Sequence, residues 1–343
     1  MNVKKSVWIS MIVAGACILA GLACIAVGHA MGGHRFMKPN IESKDYTVTE
    51  DFQDIRVDTV SADVTFALSN DGACRVAVKD DGRMSYTVGV VDSILTVHAE
   101  RKEPWYKKPF SLFGGAEDAS VTVYLPAKAY RSLIAETTSG GIEAECRLSV
   151  SGDVSLAVTT GDIEWQGSAE SLFVKATTGE ISLENVTVAE TITVETTTGE
   201  INLTRVTGSS LDAHAGTGDI EVTDSEIAGQ IAVNSTTGEI SLTRVISDSL
   251  NAETTSGRVE LTDTVVAGQI TAKTGSGAIR LIRADAATLS LKTTSGSVTG
   301  SLRTPKVIYA DTTSGSVNVP KSTEGGLCEV KTTSGSIRLT VED

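Results

Sequence analysis

The stretch ITVETTTGEI, residues 192–201, contains one copy of the pattern that determines the fold. Ile192 and Val194 alternate with polar residues, the alternation ends at Gly199, and Ile201 follows two residues later. Alternation with a period of two predicts a β-strand with one buried face, and glycine permits a backbone conformation that suits a tight turn. The stretch therefore predicts a strand, a glycine turn and a second strand.

The same pattern recurs eleven times, at steps of about 20 residues. The residue two positions after the glycine is Ile or Val in every copy, and apolar residues occupy the positions seven and five before it. The turn glycines are Gly140, Gly161, Gly179, Gly199, Gly218, Gly238, Gly257, Gly277, Gly296, Gly315 and Gly335. One such unit cannot bury its apolar face alone, so copies must stack at strand spacing. We therefore predict an all-β protein, a single-chain β-solenoid (β-helix-like) with rungs of about 19–20 residues over residues 131–343.

A β-propeller is the competing fold, because glycines two copies apart are separated by 39 residues and one propeller blade has about 40. Ala228-Gly229-Gln230-Ile231 also recurs as Ala267-Gly268-Gln269-Ile270. The four strands of a blade meet different surroundings, whereas all eleven copies share one inward pattern. We favour the solenoid and interpret the longer period as a duplicated pair of rungs.

Residues 45–130 are predicted to cap the solenoid, since terminal repeats are commonly atypical. Residues 55–66 fit the rung template with Ala62 in the glycine position, which predicts a degenerate first rung. Tyr86–Val90 and Ile94–Val97 are predicted to form a hairpin, and Val121–Leu125 is predicted to form a further strand.

Residues 7–30 predict a transmembrane anchor. Lys4 and Lys5 precede an uncharged apolar run, and about 20 helical residues cross a bilayer. A cleavable signal peptide is the alternative, because Gly28-His29-Ala30 offers a small-x-small site, but signal peptides have shorter apolar runs of about 7–15 residues.

A retained anchor gives the chain an orientation in the membrane. Residues 1–6 are expected in the cytoplasm and residues 31–44 as a linker, with the C-terminal body extracellular. The lipid bilayer is then a partner through residues 7–30. The chain has 29 basic and 43 acidic residues, which argues against a nucleic-acid partner.

The position after the glycine is acidic in five consecutive rungs, which we call the acidic ladder: Asp162, Glu180, Glu200, Asp219 and Glu239. Carboxylates stacked at strand spacing repel one another, and a bound Ca²⁺ ion would relieve that repulsion. No Asp-rich calcium loop accompanies the ladder, so we favour a solvated acidic face and predict no metal or other cofactor.

The position four before the glycine also changes along the chain, from Glu136, Glu195 and Glu253 to Lys273, Lys292 and Lys331. A basic tip suits anionic wall polymers, but ordinary surface charge is the interpretation we favour. Threonine fills the position two before the glycine in nine copies, which predicts hydrogen bonds between strands.

The segment Arg101–Asp118 differs from the rest of the chain in combining aromatic and basic residues. Its candidate contacts to the membrane or to a partner are Trp105, Tyr106, Lys107, Lys108, Phe110 and Phe113. Such residues suit the headgroup region of a bilayer, and they equally suit a cover for the end of the core.

The chain resembles the bacterial "putative adhesin" family of TTSG-type β-strand repeats, a membrane-anchored domain of unknown function. The resemblance covers essentially the whole chain. It is carried by the lysine-preceded span ending in Met31-Gly32-Gly33, by Ser61-Ala62-Asp63-Val64, by Val121–Pro126 and by the Thr-Thr-Ser-Gly-x-Ile/Val turns. It implies a cell-envelope protein without catalytic residues, some relatives being associated with envelope-stress systems.

We expect a non-enzymatic, membrane-anchored cell-surface β-solenoid, an adhesin or envelope-ligand-binding protein. Its ligand would be a cell-envelope polymer, a glycan or a protein. The alternative is a regulatory partner in a cell-envelope stress system that acts at the membrane surface through residues 101–118. A third hypothesis, a polysaccharide-active enzyme, requires Asp, Lys and Arg together on one outward sheet.

Overall fold

The computed structural model describes residues 42–80, 82–102 and 119–342. The strands are β1 (Glu42–Val48), β2 (Asp54–Ser61), β3 (Asp63–Leu68), β4 (Cys74–Asp80), β5 (Met84–Val91), β6 (Ile94–Arg101), β7 (Ser120–Leu125), β8 (Ala129–Tyr130), β9 (Ser132–Ser139), β10 (Ile142–Ala144), β11 (Leu148–Val150), β12 (Val154–Thr160), β13 (Ile163–Ala169), β14 (Leu172–Thr178), β15 (Ile181–Val188), β16 (Thr191–Thr198), β17 (Ile201–Gly208), β18 (Ser210–Thr217), β19 (Ile220–Thr223), β20 (Glu226–Thr237), β21 (Ile240–Thr243), β22 (Ile246–Ser256), β23 (Val259–Thr262), β24 (Val265–Ser276), β25 (Ile279–Ser295), β26 (Val298–Leu302), β27 (Lys306–Ser314), β28 (Val317–Asn318), β29 (Gly326–Ser334) and β30 (Ile337–Val341). No helix within these ranges is long and apolar enough to cross a membrane. The predicted anchor, residues 7–30, lies outside the described residues.

Parallel pairing between successive rungs confirms the predicted β-solenoid. Ile192 lies between Leu172 and Leu211 on the adjacent rungs, and Ile201 lies between Ile181 and Ile220. Equivalent apolar residues therefore form columns along the axis. These columns are buried, as the alternating pattern predicts, and they make one long core.

Each complete rung has three sides. The strand before the glycine belongs to the first sheet, which runs from β2 and β9 through β12, β14, β16 and β18 to the later parts of β20, β22, β24 and β25. The strand after the glycine belongs to the second sheet, from β3 and β10 to β23 and β25. A short third side follows, as in the pairing of Val186 with Val206. The sequence pattern predicted the first two sides only.

The turn glycines touch one another along the axis. Ten of the eleven have φ angles from +129° at Gly140 to +158° at Gly277, a region that favours glycine. A Cβ atom added to Gly238 would lie 2.0 Å from the carbonyl oxygen of Gly218. Glycine is thus required both for its conformation and for the close approach of the next rung.

Hydroxyl groups three residues before the glycine stabilise these turns. Thr254 donates a 3.0 Å hydrogen bond to the carbonyl oxygen of Gly238, and Thr274 donates one of 2.9 Å to that of Gly257. Thr293 and Thr332 repeat the arrangement. Of the two threonine columns, the inward one therefore makes these hydrogen bonds between rungs, whereas the outward threonines two before the glycine are exposed.

Residues at the base form the predicted degenerate rung and its cap. Ile55 lies opposite Leu133, and Val64 lies opposite Ile142, which confirms the first rung. Strands β5 and β6 form the predicted antiparallel hairpin, and β6 extends the first sheet beside β2. The predicted further strand is β7, and it pairs with β3 and β4 while β1 covers the outer edge of β4.

The last two rungs stack in the reverse of their order in the chain. β29 lies between β25 and β27 on the first sheet, and β30 lies between β26 and β28 on the second. We call this arrangement the interleaved tip. It differs from stacking in chain order, which a regular repeat predicts.

In two core columns, the enclosed rung carries the larger side chain. Val330 and Leu339, in the enclosed rung, occupy core columns that Ala310 and Val319 occupy in the outermost rung. Enclosing the larger side chains buries more apolar surface. Val317, in the outermost rung, remains 45% exposed.

Candidate functional site

The acidic ladder lies along one edge of the second sheet, on consecutive rungs as the repeat predicts. Some of its carboxylates bind the chain itself. Asp162 accepts a 2.8 Å hydrogen bond from the backbone N–H of Glu180, and Asp219 accepts one of 2.6 Å from that of Glu239. Within the described ranges, no group of three His, Cys, Asp or Glu residues is arranged to hold a metal ion. Asp162 and Asp219 thus bind the backbone of the next rung, and the role of the acidic ladder stays a prediction.

The aromatic and basic side chains predicted to meet a membrane lie outside the described residues. They belong to the segment 103–118, between β6 and β7. The described strands on either side of it, β6 and β7, both belong to the base of the solenoid. Its role therefore stays a prediction.

Two cysteines of the body are buried free thiols, Cys74 and Cys328. Burial raises the pKa of Cys74 to about 11 and that of Cys328 to about 12. Both thiols are protonated at neutral pH, and the thiolate is the reactive form of cysteine. Burial in the core is the role that this geometry gives them.

The lysines four residues before the turn glycine come together on the first sheet. Lys273 lies opposite Lys292, and Lys292 lies opposite Lys331, so the three occupy consecutive rungs about 4.8 Å apart. We call Lys273, Lys292 and Lys331 the lysine stripe. Stacking in chain order would place Asp311 between Lys292 and Lys331. The interleaved tip instead puts Asp311 beyond Lys331, on the outermost rung.

Carboxylates flank the lysine stripe without covering it. Glu253 lies 3.7 Å from the ammonium of Lys273, and Glu329 lies 3.9 Å from that of Lys292 and 2.5 Å from that of Lys331. The hydrogen bond between Glu329 and Lys331 lowers the pKa of the carboxyl and raises the pKa of the ammonium. The three lysine side chains are about half exposed, with values between 44% and 56%. The ammonium groups are therefore accessible to a ligand, which would share them with Glu253 and Glu329.

The stripe forms the floor of a shallow groove of about 480 Å³. Thr294 and Thr333 line the groove with exposed hydroxyls, and Gly275 takes the equivalent place on the rung of Lys273. Glycine has no side chain and therefore adds no hydroxyl to the groove at this rung. The groove holds lysine and aspartate, but arginine, the third residue type of the enzyme hypothesis, is not among its lining residues.

A second column of polar and charged side chains follows the corner between the second sheet and the third side. It was not among the sites predicted from the sequence. It lies six residues after the turn glycine: Asn185, Arg205, Asp224, Arg244, Asp263 and Arg283. All six have φ between +52° and +54°, a left-handed conformation that is uncommon for residues other than glycine. The alternation of acidic and basic residues at a fixed offset was visible in the sequence.

Side chains of this corner column bind their neighbours on the next rung. Arg244 binds both carboxylate oxygens of Asp224, one of them at 3.0 Å. Asp263 accepts hydrogen bonds from Arg283 and, at 3.1 Å, from Arg303. These bonds hold the pKa of Asp263 below its usual value. The ion pairs of the column thus link adjacent rungs. Most of its arginine and aspartate side chains are paired with one another within the protein.

Comparison with known proteins identifies the family. A family model described as Toastrack DUF4097 matches residues 52–257 and 244–343, and so covers most of the chain. The chain belongs to the Toastrack DUF4097 family. This confirms the resemblance to a bacterial "putative adhesin" β-repeat family of unknown function. No curated protein matches this Toastrack chain.

Several solved structures are similar to the Toastrack chain at low identity. A "putative adhesin" from Bacteroides fragilis is 14% identical, with a TM-score of 0.34, over 89% of this chain and 99% of that one. A "putative adhesin" from Parabacteroides distasonis is 15% identical, with a TM-score of 0.37, over 86% and 98%. A "putative lipid binding protein" from the same species is 14% identical, with a TM-score of 0.35, over 85% and 97%.

Proposed function

We propose that this Toastrack protein is a non-enzymatic, membrane-anchored cell-surface rod that binds an envelope or extracellular ligand through its outward sheet surface. The observation that carries the proposal is the continuous outer face of the first sheet, which crosses twelve stacked rungs and opens into the shallow groove at the tip. Stacked repeats present extended surfaces that suit extended ligands. Small-molecule sites, in contrast, are usually clefts that enclose the ligand.

The proposed location of the protein in the cell is inferred from its sequence. A single-pass anchor at residues 7–30 would hold the N-terminus in the cytoplasm and the body outside the cell. With the cap at the membrane side, the groove lies at the distal end of the rod. A site there is well placed to reach polymers of the envelope or another surface.

The proposal predicts that the purified full chain, in detergent micelles, binds cell-wall polymers or glycans. Binding to wall preparations and to a glycan array would be measured beside a variant without residues 101–118. Binding that survives the deletion is the expected result. Vesicle binding that disappears with the deletion would instead support the regulatory role at the membrane. New reducing ends formed from a bound polysaccharide would contradict a non-enzymatic role.

A further inference from the structure

The lysine stripe owes its charge pattern to the reversed order of the last two rungs. In chain order, Asp311 would lie between Lys292 and Lys331 and would interrupt the row of lysines. In the interleaved tip, Lys273, Lys292 and Lys331 are consecutive and Asp311 ends the row. Three ammonium groups therefore repeat along the axis at strand spacing, about 4.8 Å. That repeat is comparable with the length of one sugar residue in a polysaccharide.

The groove offers hydrogen-bond acceptors as well as cations. Glu253 and Glu329 lie beside the lysines, and the hydroxyls of Thr294 and Thr333 are exposed. Carboxylates can only accept hydrogen bonds, while hydroxyls donate and accept. A sugar chain with carboxylates and free hydroxyls satisfies both sets of groups. A polyphosphate supplies negative charge but has no hydroxyl groups that could donate hydrogen bonds to Glu253 and Glu329.

An exposed aromatic ring adjoins the groove. Tyr309 is 64% exposed and lies opposite Glu329, on the same outward face as Lys331. Among the residues that the structure describes, few other large hydrophobic side chains are exposed. A flat ring with a polar end combines apolar contact with hydrogen bonding, which suits the face of a sugar ring.

From these observations we infer that the lysine stripe binds an acidic polysaccharide, a glycan that carries a carboxylate on successive sugar residues. The glycan lies along the solenoid axis, across the strands, so that successive carboxylates meet Lys273, Lys292 and Lys331. Its hydroxyls bond to Glu253, Glu329 and the groove threonines, and a terminal sugar covers Tyr309. The inference rests on the proposed function and names the class of ligand for the tip.

The test uses the full chain in detergent micelles and polygalacturonate as the probe. Methyl-esterified polygalacturonate, which has the same backbone without the charges, and sodium polyphosphate are the comparison ligands. The test variant is Lys292→Gln with Lys331→Gln. The matched control is Lys175→Gln, because Lys175 occupies the same outward column, is 51% exposed and pairs with Glu195 at 2.8 Å.

We expect polygalacturonate to bind at least ten-fold more tightly than either comparison ligand. The double variant should lose at least ten-fold in affinity, and Lys175→Gln should leave binding unchanged. Tyr309→Ala should also weaken binding, with an unchanged dependence on salt, since the ring carries no charge. All variants should keep the circular dichroism spectrum and urea midpoint of the wild type, because the replaced side chains are exposed.

Four results would overturn the inference. Equal binding of polyphosphate would show that charge alone attracts ligands to the tip. Unchanged affinity in the double variant would move the binding site elsewhere. Binding to wall preparations without binding to polygalacturonate would refute this ligand class while leaving the proposed function intact. A chain that binds no preparation and no glycan would contradict both.

Discussion

Replacing Gly238 by alanine should destabilise the solenoid by about 3 kcal/mol or more. The φ angle of Gly238 is +156°, and an added Cβ atom would lie 2.0 Å from the carbonyl oxygen of Gly218. Backbone atoms of Gly218, and not a flexible side chain, occupy that space. The two rungs would therefore have to separate to remove the steric clash. Separation would also stretch the hydrogen bond from Thr254 to the carbonyl oxygen of Gly238. Urea unfolding of the full chain, followed by circular dichroism, measures the effect.

Gly89→Ala is the matched control for this substitution. Gly89 lies in β5 of the cap, and a Cβ atom there would meet nothing within 4 Å. We expect a change within about 1 kcal/mol, since alanine also reduces the freedom of the unfolded chain. Equal stability of the two variants would contradict a role for the glycine column in rung spacing.

Val330→Ala should cost about 2–3 kcal/mol, whereas Val317→Ala should cost less than about 1 kcal/mol. Val330 is fully buried because β29 lies between β25 and β27, and Val317 is 45% exposed on the outermost rung. Both substitutions remove the same two methyl groups. The difference between the two losses of stability therefore reflects how deeply each valine is buried, because the side chains are of the same type.

Stacking in chain order would reverse this result. Val330 would then lie on the open last rung, and Val317 would lie between two rungs. Urea midpoints of the two variants, compared with the wild type, distinguish the two orders. A larger loss for Val317→Ala than for Val330→Ala would contradict the interleaved tip.

Much of the architecture follows from the sequence because the repeat is local. A period of two before each glycine fixes which side chains face inward, and the glycine spacing fixes the length of a rung. The degenerate first rung was also predictable, because the apolar residues around Ala62 have the same spacing as those around the turn glycines. The corner column could also have been predicted, because Asp224, Arg244 and Asp263 each lie six residues after a turn glycine.

The order of the last two rungs was not predictable from the pattern. Residues 312–317 and residues 332–337 share Thr-Thr-Ser-Gly-Ser followed by an apolar residue, so either rung fits against β25. The choice depends on the apolar surface that each order buries, a property of the stack and not of one repeat. The lysine stripe depends on that choice, and for this reason the sequence indicated only a general rise in basic charge.

One disulfide experiment tests the interleaved tip, and with it the lysine stripe, most directly. Ser290 and Glu329 lie opposite each other on adjacent strands, at a spacing of about 4.8 Å that suits a disulfide between their Cα positions. Ser290→Cys with Glu329→Cys should therefore form a bridge under mild oxidation, detected by mass spectrometry of the linked peptides. Ser290→Cys with Tyr309→Cys should not form one, because β29 separates these positions. A bridge in the second variant and none in the first would show stacking in chain order and would remove the basis of the lysine stripe.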